Sequence, residues 1–297
     1  MNREDLLKAI EDKYGAIGED PNTYLEGLLH ANLITYWDYV EVDTLLSLQK
    51  PRTTFADEEI FIIYHQVTEL VLKLIMHEVK QITGEANPSV EVLTNKVNRI
   101  NRYTTLLVNS FSIMRDGMSY DDYNLFRKTL TPASGFQSAQ FRFIELRCTR
   151  VQNLINASGK ARLPENPTLD DYFENIYWKD AGLDRKTGKK TLTLKMFEDK
   201  YEKDFKALAI EMEGNTLEEK INALGDEVTP ELKDAIRQLD VFYNIEWPMT
   251  HLRTARHYLN SKGENQAATG GSEWQKYLHP MYQQRKFFPS VWSAEEL

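Results

Sequence analysis

Apolar residues recur along this chain mainly at spacings of three and four, the period of an amphipathic helix rather than a strand. The pattern predicts a buried helix over Asp57–Lys80, with Thr54 or Asp57 as its cap and acidic residues in its first turn. Further helices are expected over Val90–Ser112, from about Phe136 to Ile155, and over Lys195–Glu213. Thr216 followed by Glu219 has the form of a capping box, and Thr229-Pro230 starts the last long helix with a cap and a proline at its first position. Pro248 cannot donate to the carbonyl of Asn244. A kink or restart is therefore expected there, with a second segment from Met249 to about Asn260. Strand alternation is scarce: at most Lys189–Leu194 could form a short hairpin, beside a polar loop over Gly182–Lys190.

Composition narrows the class without changing this picture. Of 297 residues, 41% are hydrophobic and 27% charged, enough apolar material for a large core. No Pro/Gly/Ser-rich linker, repeat or low-complexity tract interrupts the chain, which favours one domain over residues 1–297, with 160–228 as a helical excursion. A formal net charge of -9 repels phosphate backbones, so nucleic acid is not an expected partner. The first residues, MNREDLLKAIEDKYG, form a short amphipathic helix with charges of both signs rather than a signal peptide. The longest apolar run, Ile60–Tyr64, stops at His65, so no membrane span is expected and the protein is expected to be cytoplasmic. With Cys148 the only cysteine, an intrachain disulfide, a Cys-rich zinc site and an iron–sulfur cluster are all excluded.

Two of the six histidines sit in unusual company. His65 falls in the most apolar helix, with Phe61 one turn before it and Thr68, Glu69 and Leu72 after it. His251 follows Pro248, with Trp247 one turn earlier and Tyr258 two turns later on much the same face. A single histidine on an apolar helix is more often a core residue satisfied by a carbonyl; two in one helical protein favour a shared metal or cofactor. Glu-x-x-His pairs, His-Glu-x-x-His and Cys-x-x-Cys-His are all absent. A non-covalent haem held by one histidine remains open, as does a protein without a cofactor. Tyr123 and Arg127 share a helical face, an arrangement suited to bidentate capture of a carboxylate, although a surface salt bridge of Arg127 with Asp121 or Asp122 explains the spacing as well. Ala268-Thr269-Gly270-Gly271-Ser272 could turn backbone N–H groups toward an anion, or be a plain glycine loop. The aromatic segment Leu33–Val40 lines a pocket or plugs the core.

Four blocks, in order, resemble the tryptophan 2,3-dioxygenase family: TYWDYVEVDTLLSLQ, EEIFIIYHQVTELVLKLIMHEV, YNLFRKTLTPASGFQSAQFRFIE, and WPMTHLRTARHYL followed by ATGGS. They span Thr35 to Ser272, and the second and third are long and specific. The resemblance implies an all-α helical bundle, a homotetramer with one haem b per subunit in a pocket between helices. Residues 1–50 would be an N-terminal swapped segment reaching into a neighbouring subunit. By position His251 matches the proximal haem ligand, with Trp247 beside the cofactor, and His65 the distal histidine that accepts a hydrogen bond from the indole N–H. Arg127 matches the arginine that clamps the substrate carboxylate, with Tyr123 beside it. Phe61 matches a pocket aromatic, Thr269 a threonine contacting the bound amino acid, and Tyr36, Tyr39 and Val40 the residues offered to a neighbouring subunit's pocket. The implied reaction is cleavage of the indole C2–C3 bond of L-tryptophan, or of a close indole analogue, by dioxygen to give N-formylkynurenine.

The chain departs from the family at the lid. The family's Gly-Thr-Gly-Gly-Ser-Ser-Gly loop here reads Ala268-Thr269-Gly270-Gly271-Ser272-Glu273-Trp274, the interval from His251 to Thr269 is longer, and Pro248 is unusual. These changes leave two rival expectations: a relative that monooxygenates a substituted tryptophan or other aromatic amino acid, and a haem-binding protein without turnover.

Overall fold

The structure, a computed structural model, describes residues 1–184, 187–260, 279–283 and 285–293. Thr269 and the rest of the Ala268–Trp274 loop lie outside these residues. The chain divides into two compact units, Met1–Lys50 and Pro51–Leu297.

The first unit holds α1 (Arg3–Gly15), α2 (Pro21–His30), α3 (Tyr36–Val40) and α4 (Val42–Leu45). Asn2 caps α1 through a reciprocal box with Asp5, and Asp20 caps α2 ahead of Pro21. None of its helices buries a residue, and Leu28, Leu29, Leu33, Ile34, Tyr36, Trp37 and Tyr39 stand exposed.

The second unit is all-helical among its described residues, its one β contact being an isolated bridge between Leu183 and Lys190. Its elements are α5 (Asp57–Gly84), α6 (Val90–Gly117), α7 (Tyr120–Phe126), α8 (Ala139–Cys148), α9 (Ala157–Lys160), α10 (Leu169–Glu174), α11 (Leu192–Glu211), α12 (Leu217–Ala223), α13 (Pro230–Val241) and α14 (Trp247–Asn260). The two long helices form the frame. On α5, Leu72, Ile75, Val79 and Ile82 are buried; on α6, Leu93, Val97, Ile100, Thr104 and Leu107 are buried. These three- and four-residue intervals place each set on one stripe, and each fully buried aliphatic side chain contributes about 2 kcal/mol. α13 closes the frame with Leu232, Ile236 and Leu239, while Phe173, Trp178, Phe197 and Phe205 extend the same core. By length and apolar content α5 could cross a bilayer, but its inner stripe packs in this core together with the buried Glu58 and Glu78.

Several sequence expectations change in detail. α5 starts without a side-chain cap from Thr54 or Asp57. Asp57 instead accepts from the amide of Ser119, and Glu58 accepts from Arg52 N (2.9 Å), Thr53 N (2.7 Å) and Thr53 Oγ1 (2.5 Å). The helix expected over 136–155 is broken: α8 ends at Cys148, and Thr149 is extended so that its hydroxyl donates to the buried carboxylate of Glu218 at 2.8 Å. No hairpin forms at Lys189–Leu194, because Thr191 caps α11 from Leu192 onward. The capping box of Thr216 with Glu219 and the Thr229 cap before Pro230 are present.

The break expected at Pro248 takes a different form. Residues Phe242–Glu246 form a π-turn, in which the amide of Trp247 bonds back to the carbonyl of Phe242, and α14 then runs from Trp247. Widening the turn before the proline removes the need for the donor that Pro248 lacks. The C-terminal segment docks on the same corner. Asp240 accepts from Phe287 N (2.9 Å), Phe288 N (3.3 Å), Trp292 Nε1 (2.8 Å) and Asn244 Nδ2 (2.6 Å).

Candidate active site

Three neighbouring elements bring the chemistry together. The N-terminal half of α5 carries Phe61, Tyr64 and His65; α7 and the 3-10 turn after it carry Tyr123 and Arg127; α14 carries His251 and Tyr258. The Phe61 ring lies 4.1 Å from His65, 6.1 Å from Tyr123 and 5.6 Å from Phe126. Tyr123 in turn meets Tyr258 at 4.4 Å. A second path of rings runs from His65 through Tyr64 (5.5 Å) and Phe111 (5.8 Å further) to His251, on which Phe111 stacks at 5.9 Å. The two histidines singled out by the sequence thus belong to one aromatic-walled cluster.

Their protonation is set by burial. The Nδ1 atom of His65 lies 2.7 Å from the carbonyl of Phe61. A carbonyl can only accept, so Nδ1 carries the proton and Nε2 of the neutral ring is left as an acceptor. Desolvation lowers the His65 pKa, against the opposing pull of the Phe61 carbonyl and Glu69. The residue is nonetheless exposed to solvent. His251 is pushed down to about 4, by desolvation first and then by the charge of His65. It is therefore neutral at pH 7, and no hydrogen bond to a described residue engages its imidazole. Gly135 lies against this ring: a Cβ there would sit 3.6 Å from His251 Cε1. A neutral, unengaged imidazole among aromatic rings, with a second histidine in the same cluster, is a donor set that fits haem iron held by one axial ligand.

Arg127 is buried rather than on the surface, and its Nε donates to Asn124 Oδ1 at 3.0 Å. Desolvation raises the Tyr123 pKa, opposed by the nearby Arg127 charge, so its phenol stays protonated. A buried guanidinium beside a phenol and a phenylalanine is suited to a carboxylate attached to an apolar group. The ring of Trp247, one turn before His251, packs edge-on against Phe141 at 5.2 Å and lies 5.8 Å from Tyr243. Tyr36, Tyr39 and Val40 are exposed on the first unit.

Sequence reasoning missed Tyr64, Phe111, Asn124 and Gly135. Phe111 is one apolar residue among many on α6, and only the packing of α6 against α14 sets it on His251. Among the described residues one further group has ligand spacing, Glu174, Glu198 and Glu202. Its carboxylates are already paired with lysines, Lys179 reaching Glu198 at 2.5 Å and Glu202 at 3.0 Å.

A sequence model of the tryptophan 2,3-dioxygenase family matches residues 28–220. A tryptophan 2,3-dioxygenase of Bacillus cereus is 25% identical over 293 residues, covering 93% of this chain and 98% of its own length. One from Ruegeria pomeroyi is 34% identical over 132 residues, 42% of this chain and 46% of that protein; one from a Bradyrhizobium species is 36% identical over 127 residues, 42% and 45%. The higher identities span about half the length of those relatives, whereas the Bacillus match is end to end. This chain belongs to the tryptophan 2,3-dioxygenase family.

Proposed function

We propose that the protein catalyses cleavage of the indole C2–C3 bond of L-tryptophan by dioxygen, giving N-formylkynurenine. The observation that carries this reading is the gathering of His65, Phe61, Tyr123 and Arg127 beside His251. The residues supply a slot for an apolar ring, an acceptor for its N–H and a cation for its carboxylate.

Haem b, one per chain, is the cofactor of this reading, and the neutral His251 imidazole would hold it. When bound, haem iron supplies the binding and activation of dioxygen, which the side chains cannot provide. The chain does the rest. Arg127 pairs with the substrate carboxylate, whose charge would otherwise be costly to desolvate. Phe61 and Tyr123 flank the indole and exclude water. His65 accepts the indole N–H at Nε2 because its Nδ1 proton is committed to the Phe61 carbonyl. Thr269 would contact the amino-acid end of the substrate. Trp247 supports α14 from the core side.

Assembly as a homotetramer is part of the proposal. A stripe of exposed apolar residues on α5, Ile63, Val67, Leu70 and Leu74, is spaced to cover a second copy. Residues 1–50 bury none of their own side chains, which suits a segment that packs on a neighbouring subunit, with Tyr36, Tyr39 and Val40 completing its pocket. A cytoplasmic location belongs to the same reading. Haem-loaded, reduced protein given L-tryptophan and air should consume oxygen and release N-formylkynurenine. Tryptophan recovered unchanged would contradict the proposal.

A further inference from the structure

The strongest unassigned relationship in the site involves Asn124. Its Nδ2 donates to the carbonyl of Tyr120 at 3.0 Å and to the carbonyl of Tyr258 at 3.3 Å, while its Oδ1 accepts from Arg127 Nε at 3.0 Å. The amide has one possible orientation. Both carbonyls can only accept, so the NH2 end must face them and the oxygen must face Arg127. Tyr258 lies on α14, seven residues after His251 and on much the same face, and its ring meets Tyr123 at 4.4 Å. One side chain therefore ties the buried guanidinium on one element to the backbone of the helix that carries His251.

We propose that Asn124 is the positioning residue of the carboxylate clamp. By holding Nε, it fixes the plane of the Arg127 guanidinium and directs a ligand carboxylate to the Nη edge. Without this bond the guanidinium loses its tie to Asn124 at Nε, and the bidentate geometry that distinguishes a carboxylate from a point charge is loosened. The effect falls chiefly on ligands bearing a carboxylate, because only they engage the guanidinium that Asn124 holds. This inference rests on the reading of Arg127 as the clamp.

The test is a set of binding measurements on haem-loaded protein with L-tryptophan and with tryptamine, which lacks the carboxylate. Wild type, Asn124→Ala, Arg127→Ala and the double variant are compared. Asn124→Ala is expected to weaken L-tryptophan binding about tenfold and tryptamine less than twofold. In the Arg127→Ala background, removal of Asn124 should have no further effect on L-tryptophan. Asn124→Ser replaces the alanine variant if the latter does not fold. Equal losses for both ligands, or additive losses in the double variant, would overturn the positioning role. If Arg127→Ala weakens L-tryptophan but Asn124→Ala does not, the clamp stands and this inference falls. If Arg127→Ala itself leaves L-tryptophan binding unchanged, both fall.

Discussion

The Nδ1–H of His65 points at the carbonyl of Phe61, one turn earlier on the same helix, at 2.7 Å. This bond fixes the tautomer of the histidine and at the same time holds its ring 4.1 Å from that of Phe61. One turn of α5 thus sets both the tautomer of His65 and the packing of its ring.

If Nε2 of His65 accepts the indole N–H, a substrate without that proton should not notice its loss. His65→Ala is expected to lower kcat/KM for L-tryptophan by about tenfold, the worth of one hydrogen bond, and to change it much less for 1-methyl-tryptophan. Steady-state kinetics with both substrates checks this; equal losses would count against the hydrogen bond.

Desolvation lowers the His65 pKa, so the ring stays neutral through the pH range where a free imidazole begins to charge. kcat/KM should hold level as pH falls through about 6.5 and decline only below it. The same shift has a consequence for stability. An unfolded His65 binds its proton at higher pH than the folded one, so its contribution to stability is lost as pH falls below the unfolded value. A pH–rate profile with its acid limb at or above the ordinary imidazole range would contradict this.

His251→Ala removes the neutral imidazole stacked on Phe111 and should abolish stable haem binding while leaving the helical far-UV signal intact. Haem titration followed by gel filtration reads it out. Haem retained at one per chain would remove the axial assignment.

Glu58 is buried, and its carboxylate takes three hydrogen bonds from Arg52 and Thr53. Burial alone would raise its pKa, but these bonds outweigh it and the net shift is downward. The stability it contributes is therefore present above the ordinary value of 4.5 and is lost as pH falls through the lower folded value. Glu58→Ala should cost about 2 kcal/mol at pH 7, because two backbone amides are left without their acceptor. Chemical denaturation at pH 7 and at pH 3 measures both; a loss as large at pH 3 as at pH 7 would contradict it.

Much of this was legible in the sequence because helices announce themselves locally. The α5 stripe of Leu72, Ile75, Val79 and Ile82, and the Thr216 and Thr229 caps, depend on spacing within one segment. The departures come from tertiary partners. Glu218, distant in sequence, draws Thr149 out of the helix expected to continue through it. The π-turn answers to Pro248, but whether the chain kinks or widens there depends on Asp240 and Asn244 being buried together. The same division holds in the site. His65, Phe61 and Arg127 stand in segments whose residue order is itself distinctive. Asn124 reads as an ordinary polar helix residue until the carbonyl of Tyr258 arrives from another helix.

The most direct test of the account is a turnover of haem-loaded protein with L-tryptophan under 18O-labelled dioxygen, with the product weighed by mass spectrometry. Cleavage of the indole ring by one dioxygen molecule predicts both labelled atoms in a single N-formylkynurenine. One labelled atom in an unopened indole product, or none, would contradict it.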